Sequence, residues 1–292
     1  MAKTKIIFDN DGVNIDSEDV AMRVMDDEGA RLVRRYQPNA DLPQDYIYKT
    51  YPGTSTDRIV DALIKKFDLP VEQIKTDFKL PKDADVPVAL ADLITLETNK
   101  RFIAELKAVP GTTGALKTIH MMFGSENVAL MTTSRADRMD ISLAHAVDPA
   151  SGANAQLDSL FPKGAQRRSG YGHTNKYDEG FGALGWNPAQ AIIVEDSLSG
   201  VTKAKAGRED ASVIGTVAAR FYTDKPAQAE ALLKAGADIV ISSMFDLPAA
   251  AWWLKDGKPE TKPAFLAPVY FADPAPLSPA RVVNVAAAKL AT

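Results

Sequence analysis

The stretch Lys5-Ile6-Ile7-Phe8-Asp9-Asn10-Asp11-Gly12-Val13-Asn14-Ile15-Asp16-Ser17-Glu18 decides how the chain is read. An apolar run, Ile6 to Phe8, stops at Asp9, and a second acid, Asp11, follows two residues later with Gly12 behind it. So short an apolar run, closed by turn-forming residues, predicts a buried strand of a parallel sheet. In open α/β sheets ligands gather at the carboxyl ends of the strands, so Asp9 and Asp11 are expected at that rim. Residues two apart on a strand tip point the same way, which lets two carboxylates share one reacting group or one metal. The alternative is a plain polar turn, because Asp, Asn and Gly are turn residues. The rest of the chain has to decide between them.

Downstream of this stretch the pattern changes class. Asp16 to Tyr36, Asp57 to Phe67 and Val88 to Leu106 carry apolar residues at helical spacing, with Ser17 or Asp16 placed to cap the first and Ser55 or Thr56 the second. No convincing strand interrupts residues 16–106, which reads as a helical insert. From Val109 the strand-and-helix alternation resumes. Strands are expected at Asn127 to Met131, Leu157 to Phe161, Ala191 to Val194, Ala211 to Val217 and Ala237 to Ser242, with helices between them. Such alternation predicts an α/β fold with a doubly wound parallel sheet. The expected organisation is an α/β core of residues 1–15 and 107–255, a helical domain of 16–106 and a C-terminal extension of 256–292. That extension is rich in Pro and Ala and reads as an extended tail, packed on the surface or on a second subunit, followed by a short Ala-rich helix.

Bulk properties narrow the function. With 292 residues, 46% hydrophobic and 25% charged, the chain can bury a substantial core. A net charge of -4 with no basic block argues against nucleic acid as a partner. The absence of cysteine excludes disulfides, a thiolate nucleophile and cysteine-bound zinc. The N-terminus does not read as a signal peptide, and no apolar stretch approaches the roughly 18 residues of a membrane span. A cytoplasmic protein without a membrane partner is expected, as a monomer or homodimer.

Three predicted strands end in reactive groups: Asp9 with Asp11, Thr132 with Ser134, and Glu195 with Asp196. In a parallel sheet all three ends lie along one edge. Four carboxylates with few histidines make a hard-oxygen site suited to Mg²⁺. His120, His145 and His173 read as surface or packing residues, and Trp252-Trp253 as packing for the tail.

The arrangement resembles the haloacid dehalogenase superfamily, in the branch of β-phosphoglucomutase and phosphoglycolate phosphatase with a helical cap. The Asp-x-Asp-Gly-Val and Asp-Ser-Glu of that family stand here as Asp9 to Val13 and Asp16 to Glu18. Its strand-end hydroxyl matches Thr132, and its Glu-Asp-Ser with a later Gly-Val and Ala-Lys-Ala-Gly matches Glu195 to Ser197, Gly200-Val201 and Ala204 to Gly207. The resemblance covers about Lys5 to Leu254.

By that resemblance Asp9 is the nucleophile, forming an aspartyl phosphate, and Asp11 the acid and base. Mg²⁺ is held by Asp9, the backbone carbonyl of Asp11 and Asp196, with Glu195 beside them. Phosphate oxygens are bound by Thr132 with Thr133, and by the N–H groups of Asn10 and Asp11. The family's lysine is Lys176, with Lys163 as the alternative; neither proline of the usual Lys-Pro-x-Pro surrounds Lys176. In the helical insert, Pro52-Gly53-Thr54-Ser55-Thr56 resembles the specificity loop, with Gly53 and Arg58 as substrate-binding candidates. The implied activity is Mg²⁺-dependent hydrolysis of a small phosphorylated metabolite, of the sugar-phosphate or phosphoglycolate type. A phosphosugar mutase is the second reading, and a non-catalytic phosphate-binding or phospho-acceptor module the reading from another class. Retention of Asp11 favours phosphate-ester chemistry over dehalogenation.

Overall fold

In the computed structural model, residues 4–51, 54–164, 166–170 and 175–272 are described, together with the backbone of 283–284. The chain divides into two compact units, Met1–Asp16 with Leu106–Thr292, and Ser17–Glu105.

The first unit is built on one eight-stranded sheet. Its strands are β1 (Lys5–Phe8), β2 (Val128–Met131), β3 (Arg167–Arg168), β4 (Ala191–Glu195), β5 (Ser212–Thr216), β6 (Ile239–Ile241), β7 (Val269–Phe271) and β8 (Val283–Asn284). They lie in the order β3-β2-β1-β4-β5-β6-β7-β8, parallel from β3 to β6 and antiparallel from there to β8. The register sets Phe8 beside Leu130 of β2 and Val194 of β4. β2 and β4 are buried along their whole length, which matches their continuous apolar sequences. The chain runs from β1 to β2 and β3 on one side, then returns to β4 on the other, so the winding reverses at β1. At such a reversal the loops leaving neighbouring strands diverge and open a crevice. Asp9, Thr132 and Glu195-Asp196 all stand at this point, on three adjacent strands.

The helices of this unit are α6 (Thr112–Phe123), α7 (Ala136–His145), α8 (Leu157–Leu160), α9 (Lys176–Leu184), α10 (Leu198–Lys205), α11 (Lys225–Lys234) and α12 (Leu247–Lys255). One buried apolar cluster joins Ile7, Ile193 and Val213 of the sheet to Tyr177 and Phe181 of α9, Val201 of α10 and Leu232 of α11. The second unit holds α1 (Ser17–Tyr36), α2 (Tyr46–Thr50), α3 (Thr56–Lys66), α4 (Val71–Asp77) and α5 (Val86–Glu105), with no strand among its described residues. Its separate core is formed by Val24, Val33, Ile47, Ile59, Leu63 and Leu90 with their neighbours. No helix among the described residues is long and apolar enough to cross a membrane.

Two expectations are corrected. Leu157 to Phe161 is not a strand: Leu157–Leu160 is a helical turn entered from Gln156 at φ 53°. Leu157 and Phe161 are buried and Leu160 is half-buried. That 157, 160, 161 spacing is helical, and a strand would have alternated. The extension is exposed or half-buried over residues 256–268, as an extended surface tail, but it then contributes the buried strand β7 to the sheet. Val269 to Phe271 pair with β6, covering what would be an exposed edge. Of the two tryptophans expected to pack the tail, Trp253 does so, its indole N–H donating to Pro259 O at 2.9 Å and its ring meeting Phe271 edge-on, whereas Trp252 is exposed. The expected Ala-rich helix lies outside the described residues. The unforeseen β3 is two arginines on a sheet edge, where the sequence carries no apolar alternation.

Candidate active site

The loop after β1 is wound tightly around one carbonyl. Asn10 O accepts from the N–H groups of Val13, Asn14 and Ile15 at 3.3, 2.8 and 3.1 Å. Gly12 has φ +74°, and a Cβ there would lie 1.8 Å from Asp196 Oδ2, so only glycine lets this loop approach the end of β4. The Asn14 side chain donates to Asp9 O at 2.7 Å and ties the loop back to the strand.

The carboxylates of the two acids in this loop have different partners. The Asp9 carboxylate turns to β4 and α9, where Oδ1 is 2.7 Å from Lys176 Nζ. The Asp11 carboxylate turns to the end of β2: Oδ2 accepts from Ser134 Oγ at 2.8 Å and from Thr132 Oγ1 at 3.4 Å. Its Oδ1 stands 3.6 Å from Arg138 on α7. Among the described residues, the group of acids that could hold a metal ion is Asp9, Glu195 and Asp196, one oxygen of each within 4.8 Å of the others. The Asp11 side chain is not in it, which corrects the expectation of one metal shared by both loop carboxylates. The turn at Asn10 rotates the chain out of strand geometry before Asp11 is reached.

Lys176 is the first residue of α9, placed there by Asn175, whose side chain accepts from the Tyr177 N–H at 3.0 Å. Its Nζ bridges Asp9 Oδ1 and Glu195 Oε1, at 2.7 and 2.8 Å, with the side chain 4% exposed. Lys163, the alternative, is 77% exposed and paired with Asp140 at 2.8 Å. Glu195 is fully buried. It accepts from Tyr177 Oη at 2.5 Å on Oε1, and from the Asp196 N–H and Ser197 Oγ at 3.2 and 3.4 Å on Oε2. Gly200 of α10 makes room for that carboxylate, since a Cβ there would fall 2.1 Å from it. Asp196 is held by Tyr222 Oη, 2.8 Å from both its Oδ2 and its backbone O.

Charge is unbalanced in this pocket. Burial, with Glu195 and Asp11 nearby, pushes the Asp9 carboxyl up to about 7 despite the attraction of Lys176. Burial, then Glu195 and Asp9, push the Asp196 carboxyl well above the usual carboxylate range. Burial disfavours the charged amine of Lys176, but Asp9 and Glu195 outweigh it and raise the group above the ordinary lysine value. Three carboxylates thus crowd one ammonium group. A divalent cation on the oxygens of Asp9 and Asp196 would relieve the excess, and all-oxygen donors suit Mg²⁺.

The other expected residues are placed as follows. Thr132 is buried, and its Oγ1 also accepts from the Ser134 N–H at 3.1 Å. Thr133 is exposed. The Asn10 side chain is buried and donates to Ser142 Oγ at 3.0 Å. Arg58 is an exposed residue of α3 in the second unit. Gly53 and His173 lie outside the described residues. His120 is half-buried beside Phe161, and burial lowers its pKa; it takes no part in the pocket. Arg138, Tyr177 and Tyr222 were not foreseen. Tyr177 adjoins Lys176 and was legible by position, whereas Tyr222 reaches Asp196 from 26 residues along the chain and follows no motif.

No family model matches the sequence, and no curated protein matches it. Solved structures do. A HAD family hydrolase from Deinococcus radiodurans R1, with bound phosphate and sodium, is 20% identical with a TM-score of 0.58, over 87% of this chain and 96% of that one. A "putative beta-phosphoglucomutase" from Thermotoga maritima is 20% identical with a TM-score of 0.58, over 85% and 97%. A "predicted phosphoglycolate phosphatase" from Haemophilus somnus 129PT is 15% identical with a TM-score of 0.59, over 85% and 98%. With β1 at the winding reversal and the acidic pocket at its tip, the chain has the haloacid dehalogenase fold, in the form shared by these phosphoglucomutase-like and phosphoglycolate phosphatase-like structures.

Proposed function

We propose that the protein is a Mg²⁺-dependent phosphatase acting on a small phosphomonoester in the cytoplasm, with the helical unit Ser17–Glu105 as its cap domain. The observation that carries this reading is Lys176 bridging Asp9 and Glu195 at the tip of β1. It adds the cation that a phosphate and a nucleophilic carboxylate both require. An Asp9 oxygen attacks phosphorus, the P–O bond to the alcohol breaks, and the leaving oxygen takes a proton from Asp11. Asp11 then removes a proton from water, which attacks the aspartyl phosphate and frees Asp9. Lys176 neutralises the phosphoryl oxygens, and Thr132 with the backbone N–H groups of the β1 loop binds them. Asp9, the Asp11 carbonyl and Asp196 would hold Mg²⁺, which when bound lowers the repulsion between phosphate and nucleophile.

The test is release of inorganic phosphate from a panel of phosphomonoesters, including p-nitrophenyl phosphate and phosphoglycolate, with Mg²⁺ and with EDTA. Release that needs Mg²⁺ and falls about 10²–10⁴-fold in Asp11→Asn is the expected result. No release from any member of the panel refutes the phosphatase, and conversion of β-glucose 1-phosphate to the 6-phosphate without free phosphate would make it a mutase.

A further inference from the structure

The three longest helices of the second unit carry different outer faces. On α1 the exposed residues are Asp27, Arg31, Arg34 and Arg35, and on α3 they are Arg58, Lys65 and Lys66, all of them charged. Among the exposed residues of α5 only Asp92 and Lys100 are charged; the rest are apolar, with Leu93, Leu96 and Ile103 at 40, 54 and 51% exposure. The inner side of α5 is already satisfied, since Val86, Leu90 and Ile94 pack in the core of this unit against α1 and α3. A helix apolar on both sides ordinarily lies between two packed layers, and a continuous apolar face open to water marks a contact surface.

The outer residues also keep a register. Ala89, Leu93, Leu96, Lys100 and Ile103 follow one another at intervals of four, three, four and three, the spacing of a seam between paired helices. That seam is complementary to its own reverse about Leu96. Asp92 and Lys100 stand four residues to either side of Leu96, and Ala89 and Ile103 seven to either side. Two copies laid antiparallel, with Leu96 on the twofold axis, bring Asp92 of each level with Lys100 of the other, and the small Ala89 level with the large Ile103. A parallel pair would set Asp92 level with Asp92 and Lys100 level with Lys100. Lys100 pairs with Glu97 of its own helix at 2.5 Å and remains exposed, open to a second acid.

We propose that the outer face of α5 is the contact between two copies of this chain, paired antiparallel about Leu96. Such a pair is closed and buries the same face of both copies, as a self-complementary surface requires. The seam from Ala89 to Ile103 is about 21 Å long at 1.5 Å per residue. One helix against one helix buries less than the roughly 800 Å² per partner of a standard interface, so the dimer dissociates in the micromolar range. The pairing is independent of the phosphatase reading, and its measurement involves no turnover.

Sedimentation velocity of the full chain from about 1 to 100 µM tests it. The mean mass is expected to climb from 31.5 kDa toward twice that value. Leu96→Glu, which sets two carboxylates on the axis, should weaken the dimer by about tenfold or more. Lys100→Asp sets like charges level and should weaken it about threefold to tenfold, and the exchange Asp92→Lys with Lys100→Asp should restore it to within about twofold of the wild type. The charge variants lie on an exposed face where stability changes little, and they serve alone if Leu96→Glu does not fold. A wild type that stays at 31.5 kDa throughout, leaving the face to some other partner, overturns the proposal. So does a dimer indifferent to Leu96→Glu, which pairs by another surface, and so does a double exchange no tighter than Lys100→Asp alone, which denies the antiparallel register.

Discussion

Asp9 is the residue where the demands of folding and of the proposed chemistry oppose each other. Its carboxyl is pushed from an ordinary 3.8 up to about 7, chiefly by burial, so the folded state holds that proton more tightly than the unfolded chain does. The sign follows from linkage: the stability tied to this proton is fully present below pH 4 and is lost as pH rises through 7. Asp9→Asn, which cannot ionise, is therefore expected to be more stable than the wild type at pH 8 without divalent cations. The gap, on the order of a few kcal/mol, should close as pH falls toward 4. Urea unfolding of both proteins across this range checks it, and equal stability at pH 8 would show that Asp9 carries no such strain. Which acids stand at the sheet edge was legible from the spacing of Asp9, Asp11, Glu195 and Asp196, because a strand end fixes where a residue sits. Where each carboxylate points was not. The hydroxyls of Ser134 and Thr132 decide that for Asp11, and Lys176 decides it for Asp9, all contacts between residues more than a hundred apart.

At the scale of elements, α9 delivers the lysine and its cap sets the delivery. Asn175 receives the Tyr177 N–H and also donates to Lys203 O at 2.9 Å, so one side chain fixes both the start of the helix and its position against α10. Asn175→Ala should cost about 1 kcal/mol of stability as a lost cap. It should also lower kcat by about tenfold or more, because supporting residues orient the groups that react. Denaturant unfolding and phosphate-release kinetics measure the two effects, and a stability loss with unchanged kcat would confine Asn175 to the fold. The apolar runs of β1, β2, β4 and β5 announced themselves because fully buried parallel strands read as continuous hydrophobic sequence. Short elements did not. The Arg167-Arg168 pair of β3 has no apolar alternation to announce a strand and is held by backbone pairing with β2 and by the Arg167 ion pair with Asp140, and Leu157–Leu160 is too brief for four residues to separate a helical turn from a strand.

At the scale of the molecule, the extension completes the sheet of the first unit. β7 pairs with β6, Phe271 meets Trp253, and the N–H groups of Leu266 and Ala267 donate to the two oxygens of buried Asp246 at 2.6 and 3.0 Å. A chain ending at Gly257 is expected to lose several degrees of Tm and to self-associate through the uncovered β6 edge. A thermal scan with size-exclusion chromatography reports both, and an unchanged Tm would make the extension dispensable. Its Pro-rich composition concealed this role, since three residues of strand among prolines give no periodic signal. The most direct test of the account lies at β1. Borohydride added to the enzyme during turnover of a phosphomonoester with Mg²⁺ reduces an aspartyl phosphate to homoserine, which peptide mass spectrometry locates. Homoserine at position 9 and no phosphate release by Asp9→Asn are expected; turnover that leaves Asp9 unmodified and persists in Asp9→Asn would contradict an aspartyl-phosphate route.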